Sequence, residues 1–225
     1  MISRVVVVPH PPLLVPELAA GDVGECVELR EACLSAVARL AEVSGHWLAV
    51  GAATGAPVIP LRARGSLRGF GANVGVSLAA SPGAEADLPL PALVAAWLRE
   101  RVGASEVDPH LIDPAATPGD CVRFAAGLGD TEALLVLGDG SRRRGPEDDG
   151  RAAAFDDRLA TAFAEADVAV LAGLDPVLAD ELGVAGRAPW QVLAALAEGA
   201  AWHGELLYSA APFGVGYHVA VWERG

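Results

Sequence analysis

The sequence predicts an α/β protein, and three observations carry that prediction. Short apolar runs alternate along the chain with longer amphipathic stretches, the rhythm of strands and helices taken in turn. Hydrophobic residues make up 52% against 20% charged, which is the balance of a folded domain and not of a disordered one. The length of 225 residues suits one domain, whose folding buries roughly 70% of the surface exposed by the unfolded chain.

The elements follow in order. The four valines of the run 4–8 read as a buried strand that stops at Pro9-His10-Pro11-Pro12, and an amphipathic helix is expected over 25–42. Apolar runs place strands at 47–51 and 73–78, separated by the loop-rich 51–71. Helix 90–102, strand 107–112, helix 118–127 and strand 133–137 continue the alternation, and 138–150 is a second long connection. Helices are expected over 151–164, 176–182 and 189–197, with Pro176 and Pro189 each suited to the first helical position after a turn. Two closing strands, 205–208 and 216–222, end the chain. Neither long loop coincides with a shift in composition, so residues 1–225 are read as a single domain.

Composition excludes several function classes. The net charge of -13 disfavours nucleic acid and acidic lipid surfaces, both of which call for basic surface. No apolar run approaches the roughly 18 residues of a membrane span, and the opening residues lack the order of a secretory signal, so a cytoplasmic protein is expected. Cys26, Cys33 and Cys121 form no CxxC pair and read as packed thiols. All 16 basic residues are arginine, which removes Schiff-base and P-loop lysine chemistry. GxSxG, HExxH and Walker A motifs are missing, and the glycine pairs at 138/140 and 214/216 are too short for a dinucleotide fingerprint.

Ligands in open α/β sheets bind beyond the carboxyl ends of the strands, so a strand that runs into polar residues and a tight turn marks a place for a site. Three segments do so: VVVVPHPP at 5–12, LLVLGDGSRRRGPEDDG at 134–150, and LLYSAAPFGVGYHVAVW at 206–222. With the stretch AAFDDRLATAF between them, these segments resemble, in the same order, the class III extradiol ring-cleavage dioxygenases, in particular proteins like the catalytic B subunit of protocatechuate 4,5-dioxygenase. The resemblance spans nearly the whole chain. It implies a central, mostly parallel sheet flanked by helices, with an Fe(II) site held by two histidines and one carboxylate on loops at one edge, and a further histidine as acid and base. It also implies a subunit that works as a homo-oligomer or beside a small partner chain.

By that resemblance His10 matches the first metal-ligand histidine, its flanking prolines holding the backbone rigid. The other positions depart from the pattern. The strand 47–51 runs into Ala52-Ala53-Thr54 without a histidine; His46 precedes that strand. The turn that should carry the acid-base histidine reads Gly138-Asp139-Gly140-Ser141-Arg142, and an arginine cannot shuttle a proton at physiological pH. Ser209 and Ala210 stand where the carboxylate ligand is due. The sequence therefore reads as a divergent member that has lost the iron site and the acid-base histidine, and that binds a small anionic or aromatic molecule. The competing expectation is a ring-cleaving enzyme with a rebuilt Fe(II) or other divalent metal site, using His10 with residues such as Asp139, Glu205 or His46.

Candidate residues follow from the two readings. For catalysis they are Asp139, Ser141, Arg142 and Tyr217; for substrate binding, Arg142, Arg143, Tyr208 and His218; for metal, His10. Arg142, Arg143 and Arg144 on one long loop, with Arg62, Arg64 and Arg68 on the other, would set guanidinium forks around one rim if the two loops meet. The plainer readings stand beside these: a solvated loop whose arginines pair with Glu147, Asp148 and Asp149, Asp139 as a turn cap, and Tyr208, Tyr217 and His218 as packed strand positions. His110, His203 and Cys121 have no convergent partners in the sequence.

Overall fold

The computed structural model describes residues 1–19, 24–145 and 148–225. The strands are β1 (Arg4–Val8), β2 (His46–Ala52), β3 (Arg64–Ser66), β4 (Gly75–Ser77), β5 (Glu106–Ile112), β6 (Ala133–Leu137), β7 (Trp202–Ala210) and β8 (Tyr217–Arg224). Six of them form one sheet in the order β5-β2-β6-β1-β8-β7. Its first four strands are mutually parallel, while β8 runs antiparallel to both β1 and β7. The fold is therefore α/β, with a mostly parallel central sheet flanked by helices.

The helices are α1 (Gly24–Val43), α2 (Leu90–Val102), α3 (Pro118–Ala126), α4 (Arg151–Glu165), α5 (Val168–Ala172), α6 (Pro176–Leu182) and α7 (Arg187–Ala197). Two cores result, one on each face of the sheet. Val6, Val8, Leu135 and Leu137 pack under α1 and α2, while Val5, Val7, Leu134 and Val136 pack under α3 to α7. Both faces of β1 and β6 are buried, which is why these strands read as unbroken apolar runs without alternation.

Local chemistry explains the boundaries. At α3, Thr117 accepts a hydrogen bond from the Asp120 backbone N–H while the Asp120 carboxylate accepts from the Thr117 N–H, a reciprocal cap. Asp175 caps α6 by accepting from the Val177 N–H, with Pro176 first in the helix as expected. Helix α7 begins two residues before the expected Pro189, which is tolerated in the first turn because the N–H groups there have no intrahelical acceptor. The expected strand 73–78 is shorter and lies outside the main sheet: β4 pairs antiparallel with β3 in a two-stranded ribbon. Gly65 lets that ribbon press on α2, since a Cβ there would stand 2.9 Å from a Leu93 methyl carbon.

Parallel strands end on a common edge. His10 follows β1, Ala53 follows β2, Pro114 follows β5 and the loop 138–142 follows β6, so all four converge at the carboxyl side of the sheet. Backbone hydrogen bonds fix the loop there. Gly138 N–H donates to Val8 O, Gly140 N–H to Gly216 O, Gly216 N–H to Ser141 O, Arg142 N–H to Leu182 O and Gly186 N–H to Asp139 O. Among the described residues no helix is long and apolar enough to cross a membrane.

Candidate functional site

A pocket of about 440 Å³ opens at this carboxyl edge, with His10, Ala53, Arg142, Asp180 and Arg187 among the residues that line it. His10 is buried, at 7% exposure. Its backbone N–H donates to Asp139 Oδ1 at 2.8 Å, and ring Nδ1 lies 3.5 Å from the same oxygen without forming a hydrogen bond. Asp139 thus buttresses the turn that carries His10, which joins the cap reading of that aspartate to the position of the histidine.

Arg187 is the residue that the sequence did not single out. It is 5% exposed and opens α7 where the helix meets the pocket. Its Nη1 donates to Ala116 O and Gln191 Oε1, and its Nη2 donates to Pro114 O. No carboxylate pairs with it among the described residues, so the guanidinium is held by backbone and amide oxygens alone. Buried arginine ordinarily finds an anion. A signal existed in the sequence: Arg187 stands at a helix N-terminus, where the macrodipole disfavours a cation.

Arg142 joins Arg187 and His10 on the pocket wall; its side chain is exposed, with no ion pair among the described residues. Arg143 is exposed and is not a lining residue. Ser141 is fully buried. Its N–H donates to Asp156 Oδ1, and its Oγ accepts from the Arg143 N–H, so it serves the loop and not the pocket. The expected pairing of 142–144 with 147–149 is not what holds the loop. Glu147 lies outside the described residues, Asp148 accepts from the N–H groups at the start of α4, and Asp149 pairs with Arg151.

Tyr208 and Tyr217 pack on the α1 side of the sheet and do not line this pocket. Burial pushes the Tyr217 phenol well up, with Asp139 adding to it; burial, then Glu28 and Glu25, raises Tyr208. His218 faces the opposite side, because successive residues of a strand alternate. It is 1% exposed, with Nδ1 3.1 Å from Ser209 Oγ and Nε2 3.8 Å from Asp156 Oδ1. Asp156 was another unmarked residue. It interrupts the apolar stripe Ala152, Phe155, Leu159, Ala162 of α4, an irregularity visible in the sequence.

The remaining candidates lie elsewhere. Arg64 and Arg68 line a separate opening beside β3 with Glu85 and Asp87, and Arg62 pairs with Glu106 at the amino end of β5, so the two arginine groups do not share a rim. His46 begins β2 at the edge opposite His10, and Glu205 on β7 is engaged by Arg39 of α1. His110 pairs with Asp108 on the same edge strand, and His203 pairs across to Glu223 in the sheet register.

The implied Fe(II) site can be tested on these positions. His10 and Asp139 are neighbours, but neither His46 nor Glu205 reaches them, and among the described residues no group of three or more His, Cys, Asp or Glu side chains is arranged to hold a metal ion. The residues present do not fit a two-histidine, one-carboxylate centre.

No protein-family model matches the chain, and no curated protein matches it. Among solved structures the chain is similar to the crystal structure of the uncharacterized protein JW3007 from Escherichia coli K12, with a TM-score of 0.55 and 11% identity over 98% of this chain and 99% of that one. At this identity the likeness is one of fold.

Proposed function

We propose that this chain is a divergent relative of the class III extradiol dioxygenases that binds a small anionic molecule at the carboxyl edge of its sheet and does not run iron chemistry. The observation that carries the reading is Arg187: a buried cation without a carboxylate partner among the described residues, opening onto a pocket that His10 and Arg142 also line. A small anion would complete that charge balance. The extradiol kinship draws on the opening PHPP, the GDGS turn and the strand after PFGVG, which all meet at the same edge. The competing reading, a ring-cleaving metalloenzyme with a rebuilt ligand set, draws on the proximity of His10 and Asp139.

Two measurements separate these readings. The protein is reconstituted anaerobically with Fe(II), desalted and analysed for iron per chain, with His10→Ala alongside. A panel of small anions and uncharged aromatics is then screened by thermal shift. The binding reading expects no retained iron and stabilisation by anions. Near-stoichiometric iron that His10→Ala abolishes would sink it.

A further inference from the structure

We propose that the pocket takes a small organic carboxylate, gripped by the guanidinium N–H groups that Arg187 does not spend on its own fold. The inference rests on the reading of this pocket as the ligand site and names the chemistry of its ligand. A guanidinium carries five N–H donors in a fixed plane. Arg187 uses both hydrogens of Nη1, on Ala116 O and Gln191 Oε1, and one of Nη2, on Pro114 O. What remains is the Nε–H and the second Nη2–H. The Nε–H has no partner among the described residues and Arg187 lines the pocket, so a carboxylate there has up to two guanidinium N–H groups to meet.

Two further features favour an anion at this edge of the sheet. Helix α7, eleven residues long, starts at Arg187 with no side-chain cap, so the positive end of its dipole is not neutralised by a side chain where the helix meets the pocket. His10 lines the same wall, but its buried Nδ1 is turned to the Asp139 carboxylate, 3.5 Å away, and is not offered to the pocket. Arg142 adds a second guanidinium at the mouth. Against these stands Asp180, an exposed carboxylate on the lining. It is an acid at the rim, whereas the anchored donors lie inside.

A carboxylate is the class chosen because Arg187 has at most two N–H groups left, the number that one planar two-oxygen group takes; phosphate, which could also draw on Arg142 and the start of α7, is the competing arm of the test. The Arg187 fork is also held in place before any ligand arrives, because Pro114, Ala116 and Gln191 fix the plane of the guanidinium.

The test follows the Arg187 Nε–H resonance by NMR while acetate, succinate and benzoate are added, each against its uncharged amide, with inorganic phosphate as a separate arm. The resonance is assigned by its loss in Arg187→Lys. Saturable shifts with at least one carboxylate and none with its amide are expected, together with an affinity, read for both proteins by isothermal titration calorimetry, at least tenfold lower in Arg187→Lys. Because Arg187 also holds backbone carbonyls, Arg142→Gln provides a variant whose fold is not at stake, expected to weaken the same carboxylate about threefold to tenfold. Amides that bind as well as their acids, or phosphate that binds where carboxylates do not, would overturn the carboxylate and leave the pocket reading standing. No saturable shift with any probe, together with no anion stabilisation in the thermal screen, would overturn both.

Discussion

At the scale of single residues, the carboxyl edge is held by glycines that leave room for one buried aspartate. A Cβ on Gly216 would lie 2.3 Å from Asp156 Oδ2, and one on Gly140 would lie 2.7 Å from Asp156 Oδ1. Gly216→Ala should therefore cost about 1–3 kcal/mol through overpacking, read as a lower urea midpoint at unchanged slope; an unchanged midpoint would show that Asp156 can move aside. A second residue effect concerns pH. The Tyr217 phenol is raised above its ordinary value of 10.0, mainly by burial. An unfolded tyrosine ionises first, so the folded chain keeps the proton that the unfolded chain loses. The associated stability is present below pH 10 and is lost as pH rises beyond it. Tyr217→Phe should flatten the alkaline limb of the stability curve, measured by urea unfolding between pH 9 and 11. Cys33, raised in the same way by burial and by Asp139, contributes in the same direction and remains in the variant. Sequence reasoning reached His10 and Arg142, which line the pocket, and Asp139, which holds the His10 turn, because each sits in a turn with recognisable punctuation; Tyr217, marked on the same grounds, packs on the α1 side of the sheet instead. It did not reach Arg187, whose meaning depends on Pro114, Ala116 and Gln191, three residues brought together only by tertiary structure.

At the scale of elements, agreement between expectation and structure tracks the strength of local signals. Strands β1 and β6 and helices α2 and α6 have the bounds that their apolar runs and punctuation predict. Strand β3 went unrecognised because three residues carry too little periodicity, β4 was expected as part of a longer strand 73–78, and α5 was missed because five residues make little more than one turn. Where a cap is explicit its worth can be measured. Thr117→Ala removes the side chain that accepts from the Asp120 N–H and should destabilise the protein by about 1 kcal/mol, seen as a lower thermal midpoint. The partner carboxylate is part of the same device: hydrogen bonds from Thr117 hold Asp120 below its ordinary 3.8, so the cap weakens as pH falls below that value. The difference between wild type and Thr117→Ala should accordingly narrow toward pH 3, and a constant difference would count against the reciprocal arrangement.

At the scale of the whole molecule, the class was legible and the strand order was not. Alternating short and long segments specify α/β, and unbroken valines specify burial on both faces, but neither says that β6 lies between β1 and β2 or that the final strand turns back against the first. That return has a consequence for how the protein is made. Within this sheet β1 is translated before the other strands and its neighbour β8 after them, and Val5 pairs with Trp222 across 217 positions of sequence. Until Tyr217–Arg224 emerges, one side of the central strand has no hydrogen-bonding partner, and the apolar faces of Val5 to Val8 are incompletely covered. Completion of the sheet therefore waits for Tyr217–Arg224, a long-range pairing that closes only after all the helices between have been made.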